Sequence, residues 1–221
     1  SGPKEETLHI MAFEAKKGKK AWERKFKATG RTVCHEKTCV AAPTMSSDGK
    51  LVVAQFSSND VFCLDLKGNL KWLRGLTYDY PNAANGLGMS SSPVIVGEVV
   101  IAQVENDAES FTAGLSLANG STLWKKERPR GANWTSPAVI GKGGSQQVLL
   151  QSMKGLAMID PKNGKDQWKY EEGASTIPSS TVAGHTILVP SNGLTALKAR
   201  ADGRSHTQIW RDNKLGPGTG S

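Results

Sequence analysis

The chain has 221 residues, 38% of them hydrophobic and 22% charged, a balance that excludes a disordered chain, a collagen-like repeat and a disulfide-dense miniprotein. No apolar run approaches the ~20 residues a transmembrane helix needs, so no membrane span is expected. The net charge of +8 admits an anionic partner without requiring one. Glycine (24 residues) and proline (10) recur along the whole length, so frequent turns between short elements are expected.

In chain order, Ser1-Gly2-Pro3 has neither the basic start nor the apolar core of a secretory signal. Either a targeting segment has been removed, or the chain is a piece of something longer. A short apolar alternation at 8–13 leads into a basic stretch. Lys16, Lys17, Lys19, Lys20, Arg24, Lys25, Lys27 and Arg31 stand there against Glu14 and Glu23. A nucleic-acid footprint would interleave aromatics for base stacking. Only Trp22 and Phe26 are present, at core-like spacings. The stretch therefore reads as a solvated hairpin turn and an exposed strand, and no nucleic acid is expected. The three cysteines, Cys34, Cys39 and Cys63, cannot form a complete internal disulfide set. Cys34 and Cys39 are near enough to pair, as a local disulfide or as two free thiols. The run Cys34-His35-Glu36-Lys37-Thr38-Cys39 holds metal-ligand types but no second ligand pair at zinc spacing, so no metal is assigned.

The rest of the chain repeats itself. Trp22, Trp72, Trp124, Trp168 and Trp210 lie 50, 52, 44 and 42 residues apart. Each follows an apolar alternation and a glycine turn: Gly18, Gly68, Gly120, Gly164 and Gly203. The last four are also preceded by a small or hydroxyl residue beside proline (Pro43-Thr44, Ser92-Pro93, Ser136-Pro137, Pro178-Ser179) and two apolar runs split by a turn. Each unit thus reads as four short strands, and no segment keeps a helical period over ten residues. Residues 77–89 come nearest but are too rich in Asn, Gly and Pro. Four strands in a period of this length are the signature of a propeller blade. The fold class is therefore all-β, a propeller of four-stranded antiparallel blades. A tryptophan at one point of every unit suits a ring buried between neighbouring blades.

The phrase apolar-x-Asp-x-x-x-Gly-x-x-x-Trp, clearest in Met158-Ile159-Asp160-Pro161-Lys162-Asn163-Gly164-Lys165-Asp166-Gln167-Trp168, resembles the pyrroloquinoline-quinone-like (quinoprotein alcohol dehydrogenase-like) β-propeller repeat. Glu14, Ser116 and Lys198 replace the Asp in other copies. The style is similar to extracytoplasmic, planctomycete-type members and to the outer-membrane barrel-assembly lipoprotein propeller. The resemblance implies an extracytoplasmic location, periplasmic or cell-surface, with which a Cys34–Cys39 disulfide would agree. Counted by strand position, the chain is one propeller arc. It has a partial blade at 5–28, blades at about 39–76, 90–128, 134–171 and 176–212, and the opening of a further blade at 213–221. That is about four full blades plus a half, an incomplete ring. Family members close into rings of more blades, so missing blades of the same protein are expected.

The family includes quinone-dependent dehydrogenases, which need a catalytic Asp and a calcium ion held by carboxylate and amide oxygens. Some also carry adjacent cysteines under the quinone. This sequence has no Cys-Cys pair. Its densest oxygen-ligand run, Glu105-Asn106-Asp107-Ala108-Glu109, reads as an exposed, solvated loop. His9, His35, His185 and His206 fall in four different units, no Gly-x-Ser-x-Gly elbow occurs, and Gly141-Lys142-Gly143-Gly144-Ser145 reads as a hairpin loop. No catalytic residue and no cofactor are assigned. A non-enzymatic binding or assembly platform is the leading reading, and a fragment of a quinone- or calcium-dependent oxidoreductase is the alternative.

Two connections exceed what strand geometry needs: 76–91, between blades, and 105–110, within the next blade. Alternate turns of an up-and-down sheet emerge together, so both belong to one end of the propeller. Tyr and Asn suit interfaces, which singles out Tyr78, Tyr80, Asn85, Glu105 and Asn106 as contacts for a protein, peptide or saccharide partner. The competing reading is that 76–91 only packs over the end of the ring.

Overall fold

Strand β1 (Thr7–Phe13) buries Leu8 and Ile10 and exposes His9, Met11 and Phe13, the period-2 alternation of a strand with one covered face. It pairs antiparallel with β2 (Lys20–Lys27) in a two-stranded sheet. A computed structural model describes residues 7–83, 86, 88–200 and 202–216.

Four four-stranded antiparallel meanders follow. The second blade holds β3 (Ser46–Ser47), β4 (Leu51–Gln55), β5 (Asp60–Asp65) and β6 (Leu70–Gly75). The third holds β7 (Val94–Val96), β8 (Val99–Val104), β9 (Phe111–Ser116) and β10 (Thr122–Glu127). The fourth holds β11 (Ala138–Ile140), β12 (Gln147–Ser152), β13 (Gly155–Ile159) and β14 (Asp166–Tyr170). The fifth holds β15 (Thr181–Ala183), β16 (Thr186–Ser191), β17 (Gly193–Ala199) and β18 (His206–Asp212). The exceptions to all-β structure are a one-turn helix α1 (Leu76–Asp79) and 3-10 turns at Pro81–Ala83 and Gly143–Ser145. The first two fall within 76–91, and the last confirms the glycine-rich run as a hairpin turn.

The cores lie between sheets. Leu8 and Ile10 pack with Ala54, Phe56, Phe62 and Leu64 of the second blade. Equivalent apolar clusters join second to third, third to fourth and fourth to fifth. None joins the fifth to the first among the described residues, so the stack is an open propeller arc. Its narrow side is the row of first strands, β3, β7, β11 and β15, which adjoin one another. There the hydroxyl–proline phrases link up. The Thr44 amide donates to Ser92 Oγ at 2.9 Å, Ser92 to Ser136 Oγ at 3.0 Å, and Ser136 to Ser179 Oγ at 3.0 Å. Each blade opening is thereby tied to the next.

On the wide side, every last strand bulges one residue before its tryptophan. Ala21, Lys71, Leu123, Gln167 and Ile209 have no opposite number in the register. A bulge at this point re-aims the following side chain, and the ring turns onto the next blade. Trp22 Nε1 donates to Leu66 O at 2.9 Å, Trp72 to Leu117 O at 2.8 Å and Trp124 to Pro161 O at 2.9 Å. Each ring lies under the glycine turn of that next blade. A Cβ added at Gly68, Gly120 or Gly164 would stand 2.7, 2.7 or 2.6 Å from the ring of Trp22, Trp72 or Trp124. The glycine and tryptophan joined in one repeat of the sequence therefore serve two different joints.

The fifth blade departs from this pattern. Its turn is longer, Gly203 packs on the Gln147 amide, and Trp168 is covered by His206, ring centroids 4.5 Å apart. Trp210, expected between blades like the others, is 40% exposed, because no further blade follows it among the described residues.

Candidate functional site

The two long connections meet at one end of the arc. The Leu76 amide closes onto Asn59 O at 3.0 Å and Thr77 Oγ1 onto Ser58 O at 3.0 Å, which seats α1 on the β4–β5 turn. The chain then crosses to the third blade, where the Glu109 amide donates to Asn82 O at 3.3 Å. The Tyr80 ring packs on Phe111, centroids 4.8 Å apart. Lys125 Nζ sits over both rings, 4.2 Å from Tyr80 and 4.8 Å from Phe111, and pairs with Glu109. Beside this, Arg74 holds Asp79 Oδ2 through Nη2 at 2.6 Å and Nε at 2.9 Å. Tyr78, between these anchored residues, is 78% exposed.

The sequence-predicted residues thus separate by role. Tyr78 is a surface aromatic on a rigid base, and Tyr80 is half-buried as part of that base. Asn85 lies outside the described residues. Glu105 and Asn106 require a correction, because both are buried rather than part of an exposed acidic loop. Asn106 builds the loop from inside: Oδ1 accepts from the Ala108 amide and Nδ2 donates to Glu109 O, each at 2.8 Å. The solvated positions are Asp107 and Ala108.

Glu105 is wholly enclosed and both its oxygens are used. Arg128 Nε donates to Oε1 at 2.6 Å and Asn133 Nδ2 to Oε2 at 2.8 Å. Arg128 Nη2 and Asn133 Nδ2 also reach Gln151 O, at 3.1 and 2.7 Å, so the cluster bridges the third and fourth blades. Gln151 carries it on to the fifth: Nε2 donates to Ser175 O at 2.6 Å, and Oε1 accepts from the Ser180 amide at 2.7 Å. Burial pushes the Glu105 carboxyl above its usual range, while Arg128 and Asn133 pull it back. A buried pair so satisfied fixes the loop end of these blades in one arrangement.

Arg128, Asn133, Gln151 and Lys125 are the residues sequence reading passes over. Two signals mark their class. Gln55, Gln103 and Gln151 recur at intervals of 48. A basic residue stands two places after Trp22, Trp72 and Trp124, and Arg24 and Arg74 there bind the glycine turn of the next blade.

For Cys34 and Cys39 the sequence leaves a local disulfide or two free thiols open; Cys34, Cys39 and Cys63 stand unbridged here, half-buried, exposed and buried in turn. Burial, then the Asp48 charge, push the Cys63 thiol up to about 11.

A quinone–calcium site does not fit these residues. The enclosed carboxylate at this end faces a guanidinium, which opposes a cation where calcium would need oxygen ligands. No three His, Cys, Asp or Glu side chains converge among the described residues. At the opposite end a concavity of about 790 Å³ runs between the turns of the third to fifth blades, past Glu98, Gly141, Asp160, Arg200 and Arg204. Its lining mixes both charges. No helix among the described residues is long and apolar enough to cross a membrane.

Comparison with known proteins agrees with the geometry. A family model described as outer membrane protein assembly factor BamB matches residues 9–180. A search of curated proteins returns no match. Among solved structures, BamB from Moraxella catarrhalis superposes with a TM-score of 0.62 at 16% identity, over 92% of this chain and 65% of that one. A europium-containing methanol dehydrogenase gives 0.63 at 11% identity, over 91% of this chain and 47% of that one. The quinohemoprotein alcohol dehydrogenase of Comamonas testosteroni gives 0.66 at 14% identity, over 91% and 40%. The likeness is one of fold, and the chain spans 65% or less of the length of each of these three structures.

Proposed function

This chain belongs to the family described as outer membrane protein assembly factor BamB, and from that membership we propose that it is a non-enzymatic, extracytoplasmic binding or assembly platform. Its partner, a protein or an extended peptide, contacts the loop face shared by the second and third blades. The observation that carries this reading is Tyr78. Among the described residues it is the most exposed of the large hydrophobic side chains, at 78%, and it stands between residues that are firmly anchored, Arg74–Asp79 on one side and Tyr80–Phe111–Lys125 on the other. A preorganised aromatic loses little freedom on binding and is a favoured interface anchor. Membership of an assembly-factor family supports a protein partner over a small ligand. The commitment of Glu105 to Arg128 and Asn133 supports structure over catalysis at this end.

Two measurements test it. Titration calorimetry with pyrroloquinoline quinone and calcium, followed by dye-linked alcohol oxidation, should give no heat and no turnover; either signal refutes the non-enzymatic reading. Against an identified partner, Tyr78→Ala should weaken binding by about 2 kcal/mol or more at unchanged melting temperature. Unchanged affinity removes this face from consideration.

A further inference from the structure

The repeat is its own control for the surface of the outer strands. One place after the tryptophan stand Glu23, Lys125, Lys169 and Arg211, and two places before it Lys20, Thr122, Asp166 and Gln208. The second blade has leucine at both positions, Leu73 and Leu70. They are 37% and 45% exposed, and Leu66, in the turn that precedes them, is 54% exposed. An edge strand that faces water is kept polar or charged, as the other four are at these positions. Three exposed leucines on one strand and its turn therefore mark a contact surface.

The register fixes the face they share. Leu70 lies opposite Leu64 and Leu73 opposite Phe62, and Leu64 and Phe62 pack on Leu8 and Ile10 of the first blade. On β2 the residues opposite Leu8 and Ala12 are Phe26 and Trp22. Both are half-buried, whereas Trp72, at the next joint, is 7% exposed. The leucines of β6 and the aromatics of β2 thus form the two walls of one apolar seam at the rim. The walls belong to consecutive blades, so no further blade comes between them. The charge of the seam is one-sided. Its acids are engaged: Asp65 by Lys71 at 3.1 Å and by the Lys67 and Asn69 amides, each at 2.9 Å, and Glu23 by Lys20 at 2.7 Å and His9 at 2.8 Å. Its cations are not so matched. Arg24 donates to the Glu23, Lys67 and Gly68 carbonyls and to no carboxylate among the described residues. The side chain of Lys67 is exposed and has no partner among them.

We propose that this seam docks an amphipathic helix of a partner protein, its apolar stripe on Leu66, Leu70, Leu73 and the two β2 aromatics and its acidic flank toward Arg24 and Lys67. Unpaired cations beside an apolar groove select an acidic partner over a basic one. An added strand is the competing occupant of an outer edge, but β6 is six residues long with a bulge at Lys71, which interrupts the ladder such a strand would need. The inference does not rest on the loop-face reading, since none of its residues belongs to that face.

Fluorescence anisotropy on the 221-residue chain tests it, with a labelled synthetic helix of about 18 residues that carries leucine at every third or fourth position and glutamate on both flanks. The expected result is saturable binding that tightens as salt is lowered. Leu70→Thr with Leu73→Lys, the residues the third blade carries at these places, should weaken it by about tenfold or more at unchanged melting temperature. Lys67→Glu should weaken it by up to about fivefold, the worth of one exposed ion pair. No binding overturns the proposal, as does binding that the double leucine variant keeps, or equal binding of the same helix with lysine flanks. Tighter binding of a peptide with strictly alternating leucine and glutamate would assign the site to the β6 edge and overturn the helix. Sedimentation with phosphatidylglycerol vesicles that the double leucine variant abolishes, in place of helix binding, would assign the seam to a membrane surface and overturn it as well.

Discussion

The joint between the second and third blades can be taken apart one group at a time. Trp72 is 7% exposed, and its ring lies 2.7 Å from where a Gly120 Cβ would be. Trp72→Ala removes a buried indole and its bond to Leu117 O, a loss of about 3–5 kcal/mol for aromatic-to-alanine changes in cores. At about 2–4 °C per kcal/mol for a chain of this size, the melting temperature should fall by roughly 6–20 °C. Gly120→Ala acts differently. Its φ of 73° costs an L-residue about 1–2 kcal/mol, and the new methyl overpacks the indole at a further cost of about 1–3 kcal/mol. With Trp72 already alanine the second cost disappears. Urea unfolding of the wild type, both single variants and the double variant should therefore give a coupling of about 1–3 kcal/mol, the double variant being more stable than the sum of the singles. Strict additivity would refute the assignment of each tryptophan to the glycine of the following blade.

Further outcomes follow from other sites. Burial against Trp168 and Tyr170 lowers the His206 pKa below 6.5, with Glu172 opposing. The unfolded chain then binds more protons, so melting temperature should fall as pH drops through and below 6.5, and His206→Phe should flatten that slope. Thiol labelling should modify Cys39, then Cys34, and reach Cys63 only on unfolding, since its thiol is buried and pushed up to about 11. Arg128→Met leaves the Glu105 carboxylate enclosed without its cation and should cost about 3–5 kcal/mol; Arg128→Met with Glu105→Gln should recover part of it, by chemical denaturation.

Blade count and strand order were legible because each unit carries a tryptophan, a glycine turn and a hydroxyl–proline opening at a nearly constant period. The pairing of parts across units was not. Gly68 precedes Trp72 by four residues yet packs on Trp22, since the bulge turns every indole away from its own turn, and local sequence carries no trace of that. The burial of Glu105 was hidden for a similar reason. Read alone, Glu-Asn-Asp-Ala-Glu is a solvated loop, and the residues that enclose the carboxylate, Arg128 and Asn133, come from the next connection. The meeting of the two long connections followed from strand alternation alone, and the Glu109 amide on Asn82 O realises it. Trp210 departs from its repeat because the covering element of each tryptophan is always the next blade.

The proposed contact of a partner with the loop face of the second and third blades is open to site-specific photo-crosslinking in cells that produce the protein, with the photoreactive residue placed at Tyr78 on that face or at Lys162 in a turn at the opposite end. The expected result is one discrete adduct from position 78 that is lost when Tyr80 is replaced by alanine, and none from position 162. A discrete adduct from position 162 with none from position 78 would contradict it.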